Sequence, residues 1–105
     1  MRGLRVRPWA VATWLTDEDT VRFSAITAGH FLPGSAVTPV GLTGDGVHDL
    51  GQVMPDIWLV DGQIVNTLSA RRWKAARALC HSVVMVHPER VDAARLKEVD
   101  GIVDL

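Results

Sequence analysis

The sequence predicts an α+β domain: a small, strongly bent antiparallel sheet or half-barrel, followed by helices. Short apolar segments, one of them alternating with period 2, fill the first two thirds of the chain, and helical spacing appears only from residue 69 onward. Strands that come first and helices that come late are typical of this class. A chain of 105 residues is long enough for one core and too short for two, so we expect a single domain over residues 1–105.

Two segments near the N-terminus predict the first hairpin of the sheet. Residues 9–15 are apolar, and residues 20–27 alternate between apolar and polar side chains, with a short polar connector between the two. Residues 35–42 predict another strand, which Pro39 confines to an edge or a bulge. If the hairpin forms, the start of its first strand lies beside the end of its second.

The middle of the chain predicts an irregular segment and a second hairpin. Residues 43–56 are rich in glycine and show no clear period. Asp61-Gly62 follows, between two apolar stretches, and this dipeptide indicates a hairpin turn or a bulge within one bent strand.

The last third of the chain predicts helices around one buried strand. Ser69 is a typical N-cap for a helix over residues 69–80, whose apolar residues follow helical spacing. Residues 82–86 form a short apolar strand, and a C-terminal helix is expected to begin near Pro88.

Composition excludes several classes of protein. With 48% hydrophobic and 22% charged residues, the chain is of the globular type and not of the disordered type. Its single cysteine, Cys80, excludes an internal disulfide and fits a reducing compartment. No stretch approaches the ~20 apolar residues of a membrane span, and no secretory signal is evident, so we expect a cytoplasmic protein without membrane contact.

The basic residues are unevenly distributed along a chain of net charge -1. Residues 23–70 contain no lysine or arginine. The basic side chains near the two ends are Arg2, Arg5, Arg7 and Arg22, then Arg71, Arg72, Lys74 and Arg77. If the two clusters meet in space, they form a basic patch for an anionic partner, although such clusters are more often solvated faces.

No metal or cofactor motif is present in the sequence. The histidines and Cys80 lack the spacing of metal ligands, and neither a nucleophile elbow nor a phosphate-binding loop occurs. We therefore expect no cofactor. The predicted hairpin brings Arg7, held extended by Pro8, next to Thr27. A guanidinium and a hydroxyl can bind a phosphate together, although such neighbours in strands are usually inert.

Several short motifs, in order, resemble the MazF/PemK-type toxins, which are endoribonucleases of toxin–antitoxin pairs. The motifs are Arg7-Pro8 before an apolar strand, Ala25-Ile26-Thr27 ending the next strand, Leu32-Pro33, Pro55-Asp56 before residues 57–60, Gln63-Ile64 with Thr67-Leu68, and the segment over residues 95–105. The resemblance spans roughly residues 5–105.

The resemblance implies a small SH3-like (PemK/CcdB-like) sheet with a C-terminal helix, a homodimer, and a cognate antitoxin as partner. It also implies metal-independent cleavage of single-stranded RNA, in which the ribose 2′-hydroxyl attacks the adjacent phosphate. Arg7 and Thr27 correspond to the catalytic pair of the family. The residues expected to bind RNA are Arg5, Gln63, Arg71, Arg72 and Lys74.

One departure from the family keeps two other functions open. The family has a strand and a loop before its Arg-Pro motif, where this chain has only residues 1–6. The shortened N-terminus favours a catalytically weak or inactive protein of the toxin fold that binds an antitoxin or a topoisomerase. The third alternative is an unrelated small α+β interaction module.

Overall fold

A computed structural model describes residues 10–16, 36–42 and 44–102 of the chain. The strands are Ala10–Trp14 (β1), Ala36–Pro39 (β2), Ile57–Asp61 (β3), Ser82–Val86 (β4) and Gly101–Ile102 (β5). The helices within the described residues are Gly46–Val53 (α1), Gly62–Thr67 (α2), Ala70–Ala78 (α3) and Ala93–Leu96 (α4).

The five strands form one sheet in the order β2-β1-β3-β4-β5, and every neighbouring pair is parallel. This is the flavodoxin-like strand order of open α/β sheets. The domain combines a sheet with helices, as predicted. The prediction of a bent antiparallel, SH3-like sheet is wrong.

The pairing of β1 explains why the predicted N-terminal hairpin is wrong. Along β1, Ala12 is opposite Thr38 of β2 on one side and Trp58 of β3 on the other, so both edges of the strand are occupied. No edge remains for an antiparallel partner. Residues 20–27, the other half of that hairpin, lie outside the described residues.

The predicted turn at Asp61-Gly62 is the junction between a strand and a helix. Asp61 ends β3 in an extended conformation, and its Oδ1 accepts a hydrogen bond of 2.7 Å from the backbone N–H of Gln63. Aspartate is a favourable N-cap because its carboxylate satisfies a donor that the first helical turn leaves unpaired. The chain therefore enters α2 at Gly62 and does not fold back as a hairpin.

The other predicted elements have mixed outcomes. The helix with Ser69 as its N-cap is confirmed as α3, the strand over residues 82–86 is confirmed as β4, and Pro39 lies on the edge strand β2. The segment predicted as irregular contains α1. The C-terminal helix is shorter than expected, because α4 has four residues and is followed by β5.

One face of the sheet packs against all the helices of the described residues. Its core contains Trp58 and Trp73, and the partly buried Trp14 packs against it: the ring centroids of Trp14 and Trp58 lie 6.3 Å apart, and those of Trp58 and Trp73 lie 5.7 Å apart. Trp14 lies so close to Gly41 and Gly46 that a Cβ on either would approach its ring to within 2.5 Å and 2.3 Å, respectively.

The opposite face of the sheet carries a smaller apolar cluster. Val11, Leu59 and Val86, one from each central strand, are buried there. A sheet that is buried on both faces is typical of parallel strands. In the described part of the chain, no helix has the length and apolar character needed to cross a membrane.

Candidate functional site

The strands β3 and β4 end side by side at the carboxyl edge of the sheet. Asp61, the last residue of β3, is opposite Val86, the last residue of β4. Because the two strands are parallel, α2 and the β4–α4 connection leave the sheet at the same edge. Ligands of open α/β sheets bind outside this edge.

A polar groove of about 570 Å³ lies where these two connections meet. We call it the carboxyl-edge groove; it is lined by Gln63, Asn66, His87, Glu89 and Arg90. Its volume is within the usual range for small-molecule sites. Each of the lining side chains carries hydrogen-bonding groups, so the groove suits a polar ligand.

A close backbone contact fixes the shape of the groove. A Cβ on Gly62 would lie only 2.2 Å from the carbonyl oxygen of His87, so only glycine permits this approach. His87 itself has a φ of 51°, in the left-handed region that residues other than glycine rarely adopt. Such strain persists only where the surrounding structure holds the backbone firmly, and it is frequent at ligand sites.

A tight turn presents the two charged residues of the groove. The N–H of Val91 donates to the carbonyl of Pro88 at 3.0 Å, which leaves Glu89 and Arg90 at the tip of the β4–α4 connection. Both side chains are exposed, and neither has a hydrogen bond or ion pair with any residue that the structure describes. They are available to contact a ligand.

Asp61 is a second polar feature of this edge. Its side chain is fully buried, although a carboxylate is costly to remove from water without polar partners. One oxygen caps α2, as described above. Asp61 does not line the carboxyl-edge groove, but it immediately precedes the helix that supplies two of the lining residues.

The structure separates the residues predicted to bind RNA. Gln63 lines the carboxyl-edge groove, whereas Lys74 lines a different groove of about 520 Å³ between α3 and α4. Arg71 is exposed on α3, and Arg72 forms an ion pair of 2.6 Å with Asp45. The predicted residues Arg5, Arg7 and Thr27 lie outside the described residues.

The groove residues other than Gln63 were missed by sequence reasoning. Asn66 lies within the segment predicted as a hairpin strand, and residues 87–90 were assigned to the start of a helix. The usable signal was a polar segment directly after each of two wholly apolar strands, because such segments form the ligand edge of a parallel sheet. Among the described residues, no group of three or more His, Cys, Asp or Glu side chains is arranged to hold a metal ion.

Comparisons with family models, with curated proteins and with solved structures found no match to this chain. The resemblance to the MazF/PemK-type toxins therefore depends on the short sequence motifs alone.

Proposed function

We propose that this domain binds a small polar ligand in the carboxyl-edge groove. One observation carries the proposal: polar side chains from α2 and from the β4–α4 connection line the same groove, outside the carboxyl ends of β3 and β4. Open α/β sheets bind ligands outside this edge, and the groove lies beside the point between β1 and β3 at which the strand order reverses. Since strand order alone does not determine function, the proposal depends on the lining residues.

The groove supplies both donors and acceptors of hydrogen bonds. The amides of Gln63 and Asn66 each donate and accept, Arg90 only donates, and ionised Glu89 only accepts. Gln63 and Asn66 are three residues apart on α2, a spacing that puts two side chains on one helix face. A ligand with several polar groups finds partners on both sides of the groove.

The proposal is tested by titrating the ¹⁵N-labelled protein with panels of sugars, amino acids, nucleotides and phosphorylated metabolites. We expect one class to shift the amide resonances of residues 63, 66, 87, 89 and 90 more than the others. In Gln63→Ala, the loss of one hydrogen bond weakens binding by about twofold to tenfold. Gln52→Ala, which removes an exposed glutamine from α1, is the matched control and leaves binding unchanged. Shifts spread evenly over the chain would contradict the proposal.

A second candidate function is acceptance of a phosphoryl group by Asp61. It is favoured by the burial of a carboxylate at the end of the central strand β3, since buried acidic side chains are rare and are found at catalytic sites. An Asp61 oxygen would attack phosphorus and form an acyl phosphate, while the bond from phosphorus to the donor's leaving oxygen breaks. Because Asp61 is fully buried, the residues over it must move for a donor to reach it.

Incubation with acetyl phosphate tests this second function. If it is correct, the intact mass increases by one phosphoryl group and acetate is released. Asp61→Asn abolishes the increase, whereas Asp92→Asn, which changes an exposed acid at the start of α4, retains it. An unchanged mass of the wild-type protein would contradict this function.

The endoribonuclease activity stays a prediction, supported by the motif resemblance. The test is digestion of labelled single-stranded RNA by the wild type, Arg7→Ala and Thr27→Ala, with and without a chelator. If the prediction is correct, cleavage survives the chelator and Arg7→Ala loses a factor of about 10² to 10³ in rate. Equal rates for Arg7→Ala and the wild type would remove the assigned mechanism.

A further inference from the structure

We infer that the ligand of the carboxyl-edge groove contains a sugar phosphate, with Arg90 binding the phosphate and Glu89 accepting hydrogen bonds from sugar hydroxyls. This inference rests on the proposed function and specifies its ligand class. It comes from the two charged residues at the tip of the β4–α4 connection and from the amides that face them.

Among the described residues that line the groove, Arg90 is the only lysine or arginine. Three other described arginines are engaged: Arg72 pairs with Asp45, Arg77 contacts Glu98 and Asp100, and Arg95 donates to the carbonyl of Val65. Arg90 has no such partner within the described part of the chain. A free guanidinium presents a planar fork of donors that fits two phosphate oxygens at once.

Glu89 limits which anions fit the groove. It follows His87 and Pro88 directly and is adjacent in sequence to Arg90, so the two charges of the turn cancel. Bare phosphate would satisfy Arg90 but would place its own charge near the carboxylate. A neutral sugar would satisfy Glu89 but leave the guanidinium without an anion. A ligand that carries both a phosphate and hydroxyls satisfies both residues.

The opposite wall of the groove completes this specificity. Gln63 and Asn66 carry uncharged amides. Each amide oxygen accepts a hydrogen bond from a hydroxyl, and each amide NH₂ donates to a hydroxyl or to a phosphoryl oxygen. The close contact between Gly62 and His87 holds the two walls at a fixed separation. A groove that is already shaped loses less conformational entropy when the ligand binds.

A sugar phosphate reaches this groove either as a free metabolite or as the terminal unit of an RNA strand. The probes are therefore ribose 5-phosphate, ribose, inorganic phosphate, and a short single-stranded RNA with a 5′-phosphate. Binding is measured by calorimetry and by amide shifts of residues 63, 66, 87, 89 and 90, for the wild type, Arg90→Ala, Glu89→Gln and the control Lys97→Ala. Lys97 is likewise an exposed cation, directly after α4 and outside the groove.

We expect the wild type to bind ribose 5-phosphate more tightly than either ribose or inorganic phosphate. Arg90→Ala weakens binding of ribose 5-phosphate by about tenfold to a hundredfold, the usual effect of losing hydrogen bonds to a charged group. Glu89→Gln removes the preference for ribose 5-phosphate over inorganic phosphate, and Lys97→Ala changes neither the affinity nor the preference. Tighter binding of the RNA than of ribose 5-phosphate identifies a strand end as the source; the opposite order identifies the free metabolite.

Three outcomes would overturn the inference. They are equal binding of ribose 5-phosphate and inorganic phosphate by the wild type, equal losses in Arg90→Ala and Lys97→Ala, and groove binding of an unphosphorylated ligand only. The last outcome leaves the proposed function intact. If no polar ligand shifts the groove resonances, the proposed function fails as well.

Discussion

Gly62 is the residue on which the shape of the carboxyl-edge groove depends most directly. It has no side chain of its own to contribute, yet the carbonyl oxygen of His87 lies only 2.2 Å from the position that its Cβ would take. The left-handed backbone of His87 and the absence of a side chain at Gly62 occur at the same close contact. Both are needed for the β4–α4 connection to reach the start of α2.

Replacing Gly62 by alanine tests this arrangement. The new Cβ would lie 2.2 Å from a backbone oxygen, which cannot rotate away as a flexible side chain would. We expect Gly62→Ala to lower the free energy of unfolding by about 1–3 kcal/mol, measured by urea denaturation. Gly44→Ala is the control, because nothing lies within 4 Å of its Cβ position, and its effect stays within about 0.5 kcal/mol. Equal stability of the two variants would contradict the close contact.

Cys80 provides a second prediction at the residue scale. Burial raises the pKa of its thiol to about 12, and its Sγ donates to the carbonyl of Ala76 at 3.3 Å. The thiolate is the reactive form, and it is scarce far below the pKa. We expect iodoacetamide at pH 8 to alkylate Cys80 slowly in the native protein and rapidly in urea. Rapid alkylation of the native protein would show that the thiol is accessible.

At the scale of elements, α1 is held by a cap that responds to pH. Asp45 accepts hydrogen bonds from the backbone N–H groups of Val47 and His48. The N–H of His48, and then the guanidinium of Arg72, hold the pKa of Asp45 below its ordinary value of 3.8. A depressed carboxylate pKa adds stability above the ordinary pKa, and this contribution is lost as the pH falls through the folded-state pKa.

Asp45→Asn isolates this contribution, because asparagine also caps helices but does not titrate. We expect the wild type to be more stable than Asp45→Asn at pH 7. The difference shrinks as the pH falls below 3.8 and disappears below the lowered pKa of Asp45. Urea unfolding of both proteins from pH 7 to pH 2.5 measures it. A difference that does not change with pH would exclude the carboxylate charge as its source.

Some of the helices and strands could be predicted from the sequence, and others could not. The Ser69 cap and the apolar spacing after it identify α3, and the apolar run over residues 82–86 identifies β4. The helix α1 was missed because two of its eight residues, Gly46 and Gly51, have low helix propensity, although Asp45 before them is a favourable N-cap. Strand direction was the larger error, because alternation indicates a half-buried strand whichever way its neighbours run.

The candidate site was missed for the same reason. The runs Ile57–Val60 and Ser82–Val86 are apolar on both faces, which is the mark of parallel strands, and their ends then locate the ligand edge. If the sheet is assumed to be antiparallel, Asp61-Gly62 is interpreted as a hairpin turn, and nothing indicates that residues 87–90 lie at a ligand site. Of the groove residues, only Gln63 was selected, and it was selected by the motif resemblance.

At the scale of the whole molecule, the parallel sheet makes a prediction about backbone protection. The central strands β1, β3 and β4 are paired on both sides, whereas β2 is an edge strand with all four residues exposed. We expect amide hydrogen exchange to be slowest in the three central strands and much faster in β2, as monitored by NMR. Exchange in β1 as fast as in β2 would be incompatible with this strand order.

The homodimer stays a prediction at this scale. The resemblance implies it, and a hydrophobic content of 48% is more than a small bent sheet can enclose. The apolar clusters on both faces of the parallel sheet bury much of that content within one chain. Analytical ultracentrifugation at micromolar concentration measures the outcome: a species of twice 11.5 kDa supports the dimer, and a species of 11.5 kDa alone contradicts it.

The row formed by Trp14, Trp58 and Trp73 gives the protein an internal optical reporter. Because the indole centroids lie 6.3 Å and 5.7 Å apart, with tilts of 38° and 39°, we expect their electronic transitions to couple and to give paired bands of opposite sign in circular dichroism. The row runs from β1 through β3 to α3, and Trp14 also contacts the glycines that flank the start of α1. A change in how these helices pack on the sheet therefore alters the amplitude of those bands without any added label.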